Sequence, residues 1–311
     1  MAVRWIVILS VSLSSFAQDS TYVRRYDDQI ALRFFVLNTS VDYRLHYAAE
    51  NLDVNIIPNH KTTLNAGGQY DILSFSFGFA PSFFADNKDN KGSKMMSFAT
   101  DIFPGRFMQH LELHYQKGMS IESPDTGTGQ YFPRFKSIIL NGQTAYLLNP
   151  KYSARAVNLQ NAKQLKSAGT FAPGISYQYT RLEAKDEPEI GGHVRIVDIA
   201  AEASYYYTWV AARNLQFSAS ATLGIGGSWT KDDKTYSSVL YKAGLMLAPG
   251  YNNERFFAGA MIWANANGRD AQSSVTLSDV TGYATAFIGF RFDPPEKLRQ
   301  GKDKLKSKLK K

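Results

Sequence analysis

Apolar and polar residues alternate along much of the chain, and the alternation is cleanest at residues 199–225. Two alternating runs there are joined by a polar turn at residues 211–214. An alternation of period two predicts β-strands that have one apolar and one polar face. Each run is long enough to cross a bilayer obliquely, and aromatic residues gather toward the turn, as in the girdle of a membrane barrel. The apolar faces hold Ile199, Ala201, Ala203, Tyr205, Tyr207 and Trp209, then Leu215, Phe217, Ala219, Ala221, Leu223 and Ile225.

The same unit recurs from residue 30 to residue 292, which predicts twelve strands. A slip in phase near Asn38 and Thr39 predicts a β-bulge in the first strand. Residues 117–148 contain glycine and proline and are predicted as a long irregular loop. The predicted strands are 30–47, 61–70, 73–79, 95–103, 106–116, 149–159, 165–179, 199–209, 215–225, 236–248, 256–264 and 279–292.

The connections between the predicted strands sort by parity. Short turns lie at one end, centred on Asp71, Pro104-Gly105 and residues 160–163, 211–214 and 249–253. Longer, charged connections lie at the other end, at 48–60, 86–94, 117–148, 183–192, 231–234 and 265–278. Short periplasmic turns and long outer loops are typical of outer-membrane barrels. We therefore predict an all-β fold, an antiparallel transmembrane β-barrel of 12 strands within a range of about 10 to 14. A soluble β-sandwich is the alternative, and it would have shorter strands.

The composition and the N-terminal residues indicate how the chain would reach the outer membrane. The mean hydropathy is −0.28 and the chain has no cysteine, which argues against helical spans and against disulfide or thiolate metal sites. Residues 1–17 resemble a cleaved secretory signal peptide, with Arg4, an apolar core at 5–11 and the small-x-small site Ser15-Phe16-Ala17. The predicted parts are this signal, a barrel at 18–292 and a basic periplasmic tail at 293–311, in the cell outer membrane.

The net charge of +8 is concentrated in the tail. Residues 296–311 hold eight Lys/Arg and two Asp/Glu, and the body from 18 to 295 has a net charge of +1. A nucleic-acid partner is therefore not expected. The expected partners are outer-membrane lipids and possible small solutes, and no cofactor is expected. The tail either contacts anionic headgroups or a periplasmic partner, or is simply solvated.

Three short stretches suggest a family. The first is Tyr26-Asp27-Asp28-Gln29-Ile30-x-Leu32-Arg33, and Pro58-Asn59 precedes the strand at 61–70. Mid-chain, Asn149-Pro150-Lys151-Tyr152-Ser153-x-Arg155 is followed by Gln164-x-Lys166-Ser167-Ala168-Gly169. Together they resemble the domain-of-unknown-function 4421 family of secreted proteins from Gram-negative bacteria. The resemblance implies an outer-membrane barrel and implies no activity.

Alternation also predicts which charged residues face the lumen. His110, Glu112 and His114 share one side of a strand, where they could bind a metal with the carboxylate or act as acid–base groups. The expected arrangement is instead a hydrogen-bonded interior in which acids and bases pair, so no metal or catalytic residue is assigned. Asp42, His46 and Lys242 are further inward candidates. The predicted lumen cluster is Arg33, Arg44, Asp101, Arg106, His110, Glu112, His114, Asp198 and Glu202.

Three functions remain open at this point. A narrow channel or transporter for small polar solutes is the leading interpretation, because twelve strands lie between plugged barrels of about eight strands and water-filled ones of about sixteen. A structural or interaction barrel without a pore is the second. An outer-membrane lipid-modifying enzyme is the third, and it is disfavoured because no G-x-S-x-G motif occurs and the histidines are predicted to face inward.

Overall fold

The computed structural model describes residues 18–47, 52–58, 61–87, 93–123, 128–157, 161–184, 186–187, 192–231, 234–271 and 275–300. The predicted signal peptide at 1–17 and the end of the tail at 301–311 lie outside the described residues. The strands are β1 (Val23–Arg25), β2 (Ile30–Tyr47), β3 (Leu52–Pro58), β4 (Lys61–Tyr70), β5 (Leu73–Phe79), β6 (Lys94–Ile102), β7 (Phe107–Ser123), β8 (Thr128–Tyr146), β9 (Ala162–Gln164), β10 (Ala168–Glu183), β11 (His193–Ala212), β12 (Leu215–Lys231), β13 (Thr235–Asn252), β14 (Phe256–Ala271) and β15 (Val275–Phe292). One short helix, α1 (Ala154–Val157), and a 3-10 turn at Ala85–Asn87 complete the elements.

The long strands form a closed antiparallel barrel. Twelve of them, β2, β4 to β8 and β10 to β15, pair in sequence order around the wall. The barrel closes where β15 pairs with β2, from Phe292↔Ile30 to Val275↔Tyr47. The predicted fold class and strand number are confirmed. Ile30 and Phe292 mark the terminal end of the barrel, and the opposite end is called the distal end below.

The number of strands was predicted correctly, but one wall strand was missed and another was predicted where none exists. Residues 117–148, predicted as a loop, continue β7 and form β8, whose mixed aromatic, charged and glycine composition obscures its alternation. Residues 149–159, predicted as a strand, instead contain α1. Tyr152, Ala154 and Ala156 alternate with polar residues there and imitate a strand. The connection between β8 and β10 is therefore much longer than the predicted turn at 160–163.

The predicted bulge in β2 is also wrong. The pairing of β2 with β15 keeps one register along all of β2. The side chains therefore keep one phase, and Tyr43 is buried while Asp42 and Arg44 are exposed on the outer wall. This corrects the inward positions predicted for Asp42 and Arg44, because a one-residue slip exchanges the two faces of a strand.

Strand β3, within the predicted loop at 48–60, divides the barrel wall into two levels. It pairs with the distal part of β2 on one side and with the distal part of β7 on the other. The short strands β4, β5 and β6 fill the gap between β2 and β7 nearer the terminal end. The wall thus has twelve strands at the terminal level and ten at the distal level, where β3 replaces all three.

The polarity of the barrel is opposite to that of a soluble protein. At least eleven of the twelve wall strands expose large apolar side chains on the outside, for example Phe75, Leu223 and Ile262 at 57%, 69% and 61% exposure. Many charged and hydroxyl side chains of the wall strands point inward and are buried, for example Asp198, Glu202 and Ser204. Within the described ranges, no helix has the length and hydropathy to cross a membrane.

Candidate functional site in the barrel interior

A buried ion triad lies toward the distal end of the lumen. Arg269 on β14 donates from Nη2 to Asp198 Oδ2 and from Nη1 to Asp279 Oδ1, both at 2.5 Å. The side chains of all three are at most 6% exposed. Asn267 Nδ2 donates to the second oxygen of Asp279 at 2.8 Å. Both carboxylates are thus compensated, which burial of charge requires.

The predicted His–Glu–His pattern forms a chain of contacts along β7. His110 Nδ1 lies 2.7 Å from Asp101 Oδ1 on β6, and its Nε2 lies 3.8 Å from Glu112. Glu112 Oε1 is 2.8 Å from His114 Nε2. Ser74 donates to the second oxygen of Asp101 at 2.9 Å. Acids and bases alternate in this chain, as in the expected paired interior.

A third charged cluster lies on the inner side of β11 and β13. Lys242 Nζ lies 2.8 Å from Glu202 Oε1 and donates to Ser176 Oγ at 2.7 Å. Gln143 Nε2 donates to the other Glu202 oxygen at 2.8 Å. Glu202 therefore accepts from two strands other than its own, so this cluster cross-links the lumen from β8 to β13.

Little space remains between these groups. His114 stacks on Tyr283, with ring centroids 6.0 Å apart, and Tyr283 stacks on Trp263 at 5.4 Å. The cavity beside His114 and Asp279 measures about 30 Å³, room for one or two water molecules. Toward the distal end an apolar cluster that includes Tyr43, Met119 and Phe132 packs on the inner side of β2, β7 and β8. Among the described residues, no group of three His, Cys, Asp or Glu has the arrangement to hold a metal ion.

Arg33 lies beside the His110 chain of contacts, where its charge interacts with that of Asp101, whereas Arg44 and Arg106 lie apart from the clusters. Arg33 faces inward, and its guanidinium lies 4.4 Å from the ring centroid of Phe35. Arg44 is on the outer wall, as described above. Arg106 lies in the turn before β7 at the terminal end, where it donates to Leu148 O at 3.0 Å. The side chain of His46 lies outside the described residues.

The terminal mouth of the barrel is closed by a plug, defined as residues 147–157 and 161–167 with the N-terminal residues 18–29. In it β1 and β9 form a two-stranded sheet. Tyr152, Ser153 and Ala156 are completely buried. Tyr152 lies 6.0 Å from the ring of Tyr206, an inward residue of β11, so the plug reaches into the lumen. Its apolar contacts there include Phe103, Ala145, Ala172, Ala248 and Met246.

Hydrogen bonds tie the plug to turns all around the mouth. Asn161 Nδ2 donates to Asp71 O at 2.5 Å, and Lys163 Nζ donates to Asn214 Oδ1 at 2.7 Å. In the other direction Gln216 donates to Ala156 O at 2.7 Å and Asn252 to Ala162 O at 3.0 Å. These contacts run from the β4–β5 turn to the end of β13. The plug is therefore bonded to most of the circumference.

Arg155 is the central side chain of the plug. It is 3% exposed and lies 2.8 Å from Asp27 Oδ1, and its Nη2 donates to Phe103 O at 2.6 Å. Burial lowers the pKa of Arg155, and the Asp27 carboxylate opposes that shift. Gln164 supports the same fold, because it accepts from Ser153 N at 3.1 Å and donates to Lys151 O at 2.7 Å.

Sequence reasoning missed the plug and two of the three members of the triad, Arg269 and Asp279. Arg269 was assigned to a loop, although Trp263, Asn265 and Asn267 continue the inward alternation of β14 up to it. The plug residues did carry a signal of another kind. Asp27, Arg155 and Gln164 belong to the stretches on which the family resemblance rests, and the fold brings those stretches together.

The chain is similar to several outer-membrane proteins of known structure. An outer membrane channel from Pseudomonas putida F1 gives a TM-score of 0.37 at 8% identity, over 89% of this chain and 100% of that one. The translocator domain of the autotransporter NalP from Neisseria meningitidis gives 0.39 at 8% identity, over 84% and 88%. Such TM-scores are too low to establish a shared fold, so the architecture rests on the strand pairing of this chain itself.

A comparison with curated proteins gave no match. The profile of the family described as Domain of unknown function (DUF4421) matches residues 17–292, which include the whole barrel and the plug. The chain therefore belongs to the DUF4421 family.

Proposed function

We propose that the protein is an outer-membrane β-barrel with a closed lumen that serves as a structural or interaction barrel. The observation that carries this proposal is the plug, which fills the terminal mouth with buried side chains bonded to most of its circumference. The interior behind it is occupied by paired charges and by the distal apolar cluster. This favours the second sequence-based interpretation over a permanently open channel.

The exposed apolar wall supports a membrane location. Monomeric soluble proteins rarely expose apolar patches larger than a few hundred Å², whereas apolar side chains surround this barrel on at least eleven strands. An apolar outside with a polar inside is the pattern of transmembrane barrels, and closure leaves no unpaired strand edge in the bilayer. An outer membrane agrees with the predicted signal peptide.

The orientation of the barrel in the membrane follows from the position of its two termini. Both the beginning of β2 and the end of β15 lie at the terminal end, and a chain delivered from the periplasm leaves its termini there. The plug and the basic tail would then face the periplasm, and β3 with the extended ends of β7 and β8 would face outward.

A gated channel for small polar solutes is a second candidate. It is favoured by the polar chain from Asp101 to His114, which would line a hydrophilic path if the plug moved. The plug is attached to the wall mainly by side-chain hydrogen bonds and not by strand pairing with the barrel. A lipid-modifying enzyme has less support, because His110 and His114 face the interior.

Dye retention by liposomes distinguishes a closed barrel from an open channel. The refolded chain, residues 18–311, should insert and show the heat-dependent gel mobility of a membrane barrel, and vesicles containing it should retain a small polar dye. Rapid dye loss from vesicles that contain the wild-type barrel would contradict a closed lumen, and failure to insert would contradict the membrane location.

A further inference from the structure

Charge is distributed unevenly between the two ends of the barrel. The segments at the terminal end hold nine Lys/Arg and six Asp/Glu, and the tail adds eight Lys/Arg and two Asp/Glu. The rest of residues 18–311 holds seventeen Lys/Arg and nineteen Asp/Glu. The terminal end is therefore strongly positive, and the remainder is slightly negative. The segments counted are 18–29, 71–72, 103–106, 147–167, 213–214, 253–255 and 293–295, with the tail at 296–311.

Four exposed cations lie around the rim of this end and are called the rim cations: Lys151, Lys166, Arg213 and Arg255. In the described part of the chain, none of them forms an ion pair. Lys151 and Lys166 both contact the ring of Tyr22, with Nζ 5.0 and 5.1 Å from its centroid. The Asp19 carboxylate lies near both ammonium groups and offsets part of their charge, so one net positive charge remains at this ring.

Each rim cation lies next to the apolar belt in the chain. Leu148 is 50% exposed near Lys151, and Leu165 precedes Lys166 at 38%. Arg213 lies between Trp209 and Leu215, which are 56% and 51% exposed. Phe256 follows Arg255, and its ring packs at a tilt against that of Phe290, with centroids 5.3 Å apart. Cations directly beside an interfacial girdle are at the depth of lipid headgroups.

The cations of the plug add to the same field. Burial lowers the pKa of Lys163, and the nearby guanidinium groups of Arg213 and Arg24 lower it further. Self-repulsion of this kind is relieved by an anionic partner. The tail leaves the barrel at this end and is equally basic, so it cannot neutralise the rim.

The tail itself has an interfacial pattern. Residues 296–300 are helical and exposed, with Leu298 at 51%. The sequence beyond them carries six lysines and one aspartate. A basic segment of this kind is attracted to the surface of an anionic membrane.

We propose that the rim cations and the exposed start of the tail, residues 296–300, bind the headgroups of anionic phospholipids in the periplasmic leaflet. This inference rests on the proposed membrane location. The ligand is a phosphodiester headgroup beside acyl chains, because the rim cations adjoin the apolar belt instead of a closed pocket. An acidic periplasmic polymer would need only the charge and not this position.

The test compares lipids retained by the detergent-solubilised barrel in native mass spectrometry. The probes are phosphatidylglycerol and phosphatidylcholine with matched acyl chains. Since each basic residue near an anionic surface contributes about a fivefold preference, the wild type should retain phosphatidylglycerol at least about tenfold better. Replacing the four rim cations by glutamine should remove most of that preference, and replacing Lys297 and Arg299 by glutamine should reduce it further.

The matched control replaces four exposed cations at the distal end, Arg44, Arg195, Lys231 and Lys234, by glutamine. It should keep the wild-type preference. Equal retention of the two lipids by the inserted wild type, or equal loss in the rim and control variants, would overturn the proposal. So would binding of soluble peptidoglycan fragments without a lipid preference. A chain that fails to insert would instead contradict the proposed function, so the two failures are distinguishable.

Discussion

Arg155 and Asp27 are 128 residues apart in the chain, yet their side chains meet at 2.8 Å beneath the barrel mouth. The contact joins the two parts of the plug, the segment before β2 and the connection between β8 and β10. Arg155 also donates to Phe103 O in the β6–β7 turn at 2.6 Å. One side chain thus connects the N-terminal segment, the plug helix and the wall.

Removing this side chain should loosen the plug. Arg155→Met removes the charged donor of the Phe103 carbonyl and one of the two arginines on Asp27, which keeps Arg25 at 2.6 Å. We expect a loss of about 2–3 kcal/mol in local stability, below the value for a fully buried pair because Asp27 is partly exposed and retains Arg25. Hydrogen exchange at residues 152–164 should accelerate while the strands of the wall stay protected. Arg195→Met, an exposed arginine at the distal end, is the control. Unchanged exchange in the Arg155 variant would show that the contact does not hold the plug.

The ion triad makes a second prediction. Arg269→Met leaves two buried carboxylates without their positive partner and should destabilise the barrel by about 3–5 kcal/mol. Replacing all three residues, as Arg269→Met with Asp198→Asn and Asp279→Asn, should recover much of that loss because no charge is left uncompensated. Urea midpoints of the refolded barrel in micelles measure both effects. If the triple variant were as unstable as the single one, the charges would not be the cause.

Glycine on β15 allows close packing inside the lumen. A Cβ at Gly289 would lie 2.1 Å from Cζ of Phe257, which is fully buried, and 2.5 Å from Leu32 O. Gly289→Ala should therefore cost about 1–3 kcal/mol. On the same strand, a Cβ at Gly282 would meet only Ser40 Cβ at 3.9 Å, so Gly282→Ala should be nearly neutral. Equal urea midpoints for the two variants would contradict this packing.

The phase of β2 can be read by chemical labelling, because the natural chain has no cysteine. Cysteine in place of the exposed Arg44 should react rapidly with a water-soluble maleimide, and cysteine in place of the buried Tyr43 should react slowly. If the cysteine at position 43 reacted faster than the one at position 44, the labelling would support the bulge predicted from the sequence.

The sequence predicted what depends on local alternation. The bounds of β2, β4 and β5 match the predicted strands, and His110, Glu112 and His114 share the inward face with Asp101, as the alternation indicated. Neighbouring strands of one hairpin fix these relations, so a local pattern is enough.

The plug was not predictable in this way. Tyr152 and Ala156 are buried by side chains from distant strands, including Tyr206 and Gln216, and no local period records that. Arg44 was misplaced for a related reason: polar residues near Thr39 imitate a slip, while the full register with β15 allows none.

The central claim is that the lumen is closed by the plug. The most direct test is single-channel recording of refolded residues 18–311 in a planar bilayer, with the Arg155→Met variant beside it. We expect the wild type to insert without conducting steadily, and the variant to show openings as the plug loosens. Steady conductance of the wild type, equal to that of the variant, would contradict a closed barrel.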